Sequence, residues 1–80
     1  MYYVYILKSI EKNRTYVGFT TDLDRRIKEH NEGKNTSTKY YRPFKMICYV
    51  AVDKKTTALE LERYFKTGSG IAWMKKRLIP

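Results

Sequence analysis

Tyr2-Tyr3-Val4-Tyr5-Ile6-Leu7-Lys8, followed after a short polar stretch by Arg14-Thr15-Tyr16-Val17-Gly18-Phe19-Thr20, decides how this chain folds. In the first run Tyr3, Tyr5 and Leu7 alternate with Tyr2, Val4 and Ile6. That β-branched and aromatic pattern has the two-residue period of a strand. The second run repeats the character. Ser9 to Asn13 between them is short and polar, with Asn13 as the expected turn residue, so the two strands are predicted to pair as an antiparallel hairpin.

Beyond the hairpin, Thr21 with Asp24 three residues on has the spacing of a capping box, and Asp22 and Asp24 suit the positive end of a helix. The helix is expected to run to about Glu32 and stop at Gly33. Leu23 and Ile27 mark its buried face, while Arg26 and His30, four apart, are expected side by side on its surface. Gly33 to Pro43 has the composition of an exposed loop. Phe44 to Val52 is the third predicted strand, apolar on nearly both sides as in a covered sheet, with Cys48 as a small buried filler. Thr57 and Glu60 predict a capped helix through about Lys66, ended by Gly68. Ser69 is expected to cap a last helix carrying Ile71, Trp73, Met74 and Leu78 beside Lys75, Lys76 and Arg77. No internal repeat interrupts this order. It predicts an α+β fold, a three-stranded antiparallel sheet flanked by three helices in the order β-β-α-β-α-α, with residues 1–80 as a single domain.

Composition narrows the function classes. A chain 42% hydrophobic and 15% aromatic is too apolar to remain disordered, and its eight Tyr and three Phe can fill much of a small core. Cys48 is the only cysteine and His30 the only histidine, which excludes a disulfide framework and a Cys/His zinc site. The start of the chain lacks the pattern of a signal peptide, and no apolar run is long enough for a membrane span, so a soluble cytoplasmic protein is expected. Seventeen Lys and Arg against eight Asp and Glu give a formal charge of +9. Such an excess suits a polyanion, nucleic acid first and an acidic membrane surface second, or else serves only as a solvated basic face. The membrane reading is the weaker one, because only the last helix joins amphipathicity to a basic face.

Six positions stand out chemically. Ala58, Leu61 and Phe65 follow helical spacing, and Glu62 falls inside their apolar stripe. A carboxylate there has to meet a cation, a metal or an edge of solvent, and an ion pair with a nearby Arg is the structural alternative to a metal role. Tyr5 and Tyr16 lie on the paired strands, where tyrosines more often pack than catalyse. Gly18 shares a strand face with Tyr16 and leaves room for a close approach. Arg26 beside His30 suits a phosphate, although the surrounding Arg25, Lys28 and Glu29 also fit a solvated helix face.

Taken in order, these residues resemble the GIY-YIG nuclease domain. Tyr3-Val4-Tyr5 stands where that family has its GIY triplet, with Tyr3 in place of the glycine as in the small single-domain bacterial branch, and Tyr16-Val17-Gly18 stands where it has YIG. Arg26 and His30 match the helix with Arg and then His four residues on. Ala58-Leu59-Glu60-Leu61-Glu62 is similar to the later helix whose Glu binds metal, with Glu62 at the matching position. The resemblance spans essentially the whole chain.

It implies a phosphodiesterase acting around one divalent metal, Mg2+ or Mn2+, held by Glu62. Tyr5 or Tyr16 would be the general base toward water, and the other would help place water or phosphate. Arg26 would neutralise charge in the transition state, and His30 would orient a tyrosine or assist the leaving group. The implied substrate is nucleic acid, DNA ahead of RNA, cut with structural selectivity or weak specificity. The alternative is a nucleic-acid-binding module with little or no catalysis. Arg14, Arg25, Lys39, Arg42, Lys66, Lys75, Lys76 and Arg77 are the candidate contacts to the backbone of the nucleic acid.

Overall fold

A computed structural model describes residues 1–79. Strands β1 (Tyr2–Ser9), β2 (Thr15–Thr20) and β3 (Phe44–Val52) form one antiparallel sheet in the order β2-β1-β3, with helices α1 (Leu23–Asn31), α2 (Lys55–Phe65) and α3 (Gly68–Arg77). The predicted order β-β-α-β-α-α is the observed one.

β1 is the central strand, and its alternation builds a core on each face. Val4 and Ile6 pack with Val17, Ala58, Phe65 and Met74, the side covered by α2 and α3. Tyr5 and Leu7 pack with Phe44 and with Tyr16, Leu23 and Ile27, the side covered by α1. The register sets Tyr5 opposite Gly18 and Leu7 opposite Tyr16, so all four residues belong to the α1 face. β3 is an edge strand of a sheet covered on both faces, as its apolar sequence predicts, with Ile47, Cys48 and Val52 against one core and Phe44 and Met46 in the other. Tyr49 is 53% exposed, and Cys48 is half-buried against the core.

Local chemistry sets the element ends, in places one or two residues from the predicted ones. Asp22, not Thr21, caps α1 by accepting from the Arg25 amide at 3.1 Å, and it is braced by the Thr20 hydroxyl. α1 therefore starts one residue later than a Thr21 box requires. α2 begins at Lys55 with no side-chain cap, so Thr57 and Glu60 lie within the helix and do not form the expected box. Thr67, not Ser69, caps α3, accepting from the Gly70 amide at 3.1 Å while its hydroxyl donates to the Tyr64 carbonyl at 2.7 Å. Gly68 consequently opens α3 and does not close α2. In the β1–β2 turn it is the buried Ser9 hydroxyl, accepting from the Lys12 amide at 3.0 Å, that fixes the chain. Gly33 ends α1 as predicted, at φ 77°. The predicted loop after it contains a single 3-10 turn, Lys39–Tyr41.

Candidate active site

The site is built on the α1 face of the hairpin. Tyr5 rises from β1, 1% exposed, and its phenol lies directly across Gly18 of β2. A Cβ at Gly18 would overlap the Tyr5 hydroxyl and its ring. The space that glycine leaves is thus filled by Tyr5 itself.

Two residues one helical turn apart on α1 grip the Tyr5 oxygen. Arg26 donates to it through Nε at 3.3 Å, and His30 Nε2 lies 3.0 Å away. Arg26 also pairs with Glu29 across 3.2 Å. Sequence periodicity puts Arg26 and His30 together on the helix surface. The adjacency holds, but His30 is completely buried, because α1 lies flat over the sheet and turns that edge toward Tyr5, Tyr16 and Phe44. The Tyr16 ring centre is 5.0 Å from the imidazole and 6.4 Å from the Tyr5 ring. Tyr16 is half-buried, and its hydroxyl takes no hydrogen bond from another side chain among the described residues.

One assignment of the imidazole proton satisfies every group in the chain. The Thr38 hydroxyl donates to the Asn35 carbonyl at 3.4 Å, so the 2.8 Å contact between Thr38 and His30 Nδ1 is one in which Nδ1–H donates. A neutral imidazole with its proton on Nδ1 accepts at Nε2, so the Tyr5 hydroxyl donates to Nε2 while its oxygen accepts from Arg26. The chain runs Arg26 to Tyr5 to His30 to Thr38 to Asn35. Burial, reinforced by the charge of Arg26, pushes the His30 pKa below its ordinary value and favours this neutral form. Burial pushes the Tyr5 phenol up, partly offset by the Arg26 hydrogen bond, with the Tyr16 phenol and the Glu62 carboxylate adding to the rise and the Arg26 charge opposing it.

Glu62 comes from α2, on the other layer, yet its charge reaches the Tyr5 phenol. Its side chain is 21% exposed and pairs with Lys66 at 3.2 Å, an i,i+4 contact open to solvent. The partner is therefore a surface lysine and not a buried arginine, and Glu62 escapes its apolar stripe by reaching past the edge of the core. Lys66 in turn lines a cleft of about 460 Å³ at the outer edge of β2, together with Tyr16, Arg14 and Lys75. Among the described residues Glu62 makes no direct hydrogen bond to Tyr5, Tyr16, Arg26 or His30. Among the described residues no three His, Cys, Asp or Glu side chains cluster as a metal cage. A lone, partly exposed carboxylate oxygen still fits Mg2+, a hard ion that keeps most of its waters and takes one or two carboxylates beside substrate phosphate.

The predicted basic contacts divide by location. Arg14, Lys66 and Lys75 share the cleft with Tyr16. Lys39 and Arg42 line a separate depression with Thr36 and Tyr40. Arg25 is exposed on α1, and Lys76 and Arg77 lie in the last turn of α3, where Arg77 stacks over Trp73. Sequence reading missed Thr38 and Asn31. Thr38 is buried beneath His30, and Asn31 ties the end of α1 to β3 by accepting from the Phe44 amide and donating to its carbonyl. A threonine in a polar loop and an asparagine at a helix end carry no periodic signal that would single them out.

Residues 1–76 match the model of the GIY-YIG catalytic domain. The chain belongs to the GIY-YIG family. That family is one of nucleases. This GIY-YIG domain is 38% identical over 65 residues to a UPF0213 protein of Streptococcus pyogenes, a match covering 80% of this chain and 70% of that one. It is 41% identical over 66 residues to the UPF0213 protein YsiG of Lactococcus lactis, covering 81% and 62%. A solution structure of a UPF0213 protein from Bacillus halodurans superposes with a TM-score of 0.57 at 35% identity, covering 95% of this chain and 84% of that one. Among the described residues no helix is long and apolar enough to cross a membrane.

Proposed function

We propose that this GIY-YIG domain is a metal-dependent endonuclease that hydrolyses phosphodiester bonds in DNA, selecting by nucleic-acid structure or with weak sequence specificity. The observation that carries the reading is the hydrogen-bonded set Arg26, Tyr5 and His30 beside Tyr16, a cation and two phenols gathered where an 80-residue fold would otherwise bury hydrocarbon.

Tyr16 is the phenol free to meet water, so in its phenolate form it serves as general base, placing the attacking water and taking its proton. Tyr5, already donating to His30 and accepting from Arg26, holds the guanidinium in orientation. Arg26 binds the phosphate and offsets the negative charge that grows on it, for which a planar fork suits better than an ammonium. His30 acts through Tyr5. Arg14, Lys66 and Lys75 draw the backbone to the cleft that Tyr16 lines. Mg2+ or Mn2+ held by Glu62 would supply Lewis acidity at a phosphate oxygen, and Lys66 would release the carboxylate when it binds.

The test is a cleavage panel of duplex, nicked, branched and single-stranded DNA with either metal, comparing wild type and Glu62→Ala. Cutting by wild type and none by the variant is expected. Binding without cleavage under every condition would leave the binding-module reading, which the Glu62–Lys66 ion pair favours in its resting form.

A further inference from the structure

Tyr40 is 71% exposed, the most exposed aromatic side chain of the fold. It is also firmly mounted. The 3-10 turn that carries it is anchored on one side by Thr38, buried under His30, and on the other by Tyr41, which packs into the Tyr5 core and lies edge-on to Tyr40 at 5.0 Å. The amides of Thr38 and Lys39 both bond the Asn35 carbonyl, at 3.2 and 3.0 Å. A tyrosine held outward between two fixed neighbours gives up little conformational entropy when it binds something.

Cations surround it. Lys12 Nζ lies over one face of the Tyr40 ring, 4.6 Å from its centre, and Lys39 and Arg42 line a depression with Tyr40. The Arg42 guanidinium lies against Gly33, in space that a Cβ at that position would fill. Arg14, stacked on Tyr41 at 5.0 Å, connects this patch to the cleft at Tyr16. A largely exposed ring with a mobile-ended lysine over one face and phosphate-binding side chains beside it has the chemistry of a stacking platform, on which a base takes the place of the Lys12 ammonium while cations hold the backbone. A continuous duplex keeps the faces of its bases covered and has nothing to lay on the ring.

From these contacts we infer that Tyr40, with Lys12, Lys39 and Arg42, forms a binding surface for an unpaired nucleotide, so that single-stranded or flapped DNA is held beside the Tyr5–Tyr16 cluster in preference to plain duplex. The inference names the substrate class for the nuclease proposed for that cluster and rests on that role.

The experiment measures binding without metal, so it does not depend on turnover. Full-length protein is titrated into a dye-labelled duplex and into a duplex bearing a single-stranded flap with 2-aminopurine in the unpaired segment. Wild type should prefer the flap and quench the 2-aminopurine. Tyr40→Ala should weaken flap binding about tenfold, leave duplex binding within about twofold, and lose the quenching, while Tyr40→Phe keeps all three. Lys39→Ala should weaken both substrates and flatten the salt dependence. Equal effects of Tyr40→Ala on the two substrates, or unchanged quenching, overturn the stacking platform and leave the nuclease reading standing. Failure of wild type to bind either DNA overturns both.

Discussion

Thr38→Val replaces a hydroxyl by a methyl of nearly the same shape at a site 2% exposed. The variant deprives His30 Nδ1–H of its acceptor at 2.8 Å. The imidazole then either keeps its tautomer and buries an unsatisfied donor, or moves its proton to Nε2. In the second case Nε2–H and Arg26 both donate to the Tyr5 oxygen, and the Tyr5 hydroxyl proton loses its acceptor. Both outcomes strand one buried polar group, a cost of about 1–3 kcal/mol. At about 4–8 °C per kcal/mol for a domain of this size, melting should fall by roughly 4 to 24 °C. Thr38→Ser keeps the hydroxyl and loses one buried methyl, worth about 0.8 kcal/mol, so it should fall less. Nitrogen-15 spectra of the imidazole report the tautomer directly: the proton on Nδ1 in wild type and Thr38→Ser, and a changed or mixed tautomer in Thr38→Val. A valine variant that melts above the serine variant and keeps the wild-type tautomer would refute the hydrogen-bond chain and reduce Thr38 to packing.

Glu62→Gln should abolish metal-dependent cleavage while changing apo stability by no more than about 0.5 kcal/mol, because its exposed i,i+4 pair with Lys66 contributes little. Thermal unfolding beside a cleavage assay reads both, and undiminished cutting eliminates Glu62 as ligand. Gly18→Ala drives a methyl into the Tyr5 phenol, so it should destabilise by about 1–3 kcal/mol and detach Arg26. Chemical denaturation and the Arg26 Nε resonance check it, and a fully stable variant with an unchanged Arg26 signal would contradict the placement of Tyr5. His30 binds its proton more weakly folded than unfolded, so the unfolded chain holds more protons as pH falls. Stability is full above the unfolded pKa of about 6.5 and is lost below it, toward the lower folded value. Urea midpoints should decline across this window in wild type and decline less in His30→Gln, and parallel declines in the two proteins would remove His30 as the cause.

Strand and helix periodicity needs only near neighbours, and so the hairpin, the order of elements, the buried faces of α1 and α2, and the sharing of one strand face by Tyr16 and Gly18 could all be read from the residues alone, whereas the strand register put Tyr5 on that face. So could the adjacency of Arg26 and His30 and the anomaly of Glu62. Helix ends were legible only approximately, since Asp22, Thr67 and the uncapped Lys54 compete with plausible neighbours for backbone amides by margins that depend on how the chain enters each helix. What tertiary structure alone decided concerns partners distant in sequence. That α1 turns its Arg26–His30 edge inward, that Thr38 from a polar loop fixes the imidazole proton, that Tyr5 fills the space over Gly18, and that Glu62 meets a surface lysine follow from the packing of two layers on one sheet. A helix's own period states which residues share a face. The face opposite it, and so its burial and hydrogen bonds, is set by contacts among elements far apart along the chain.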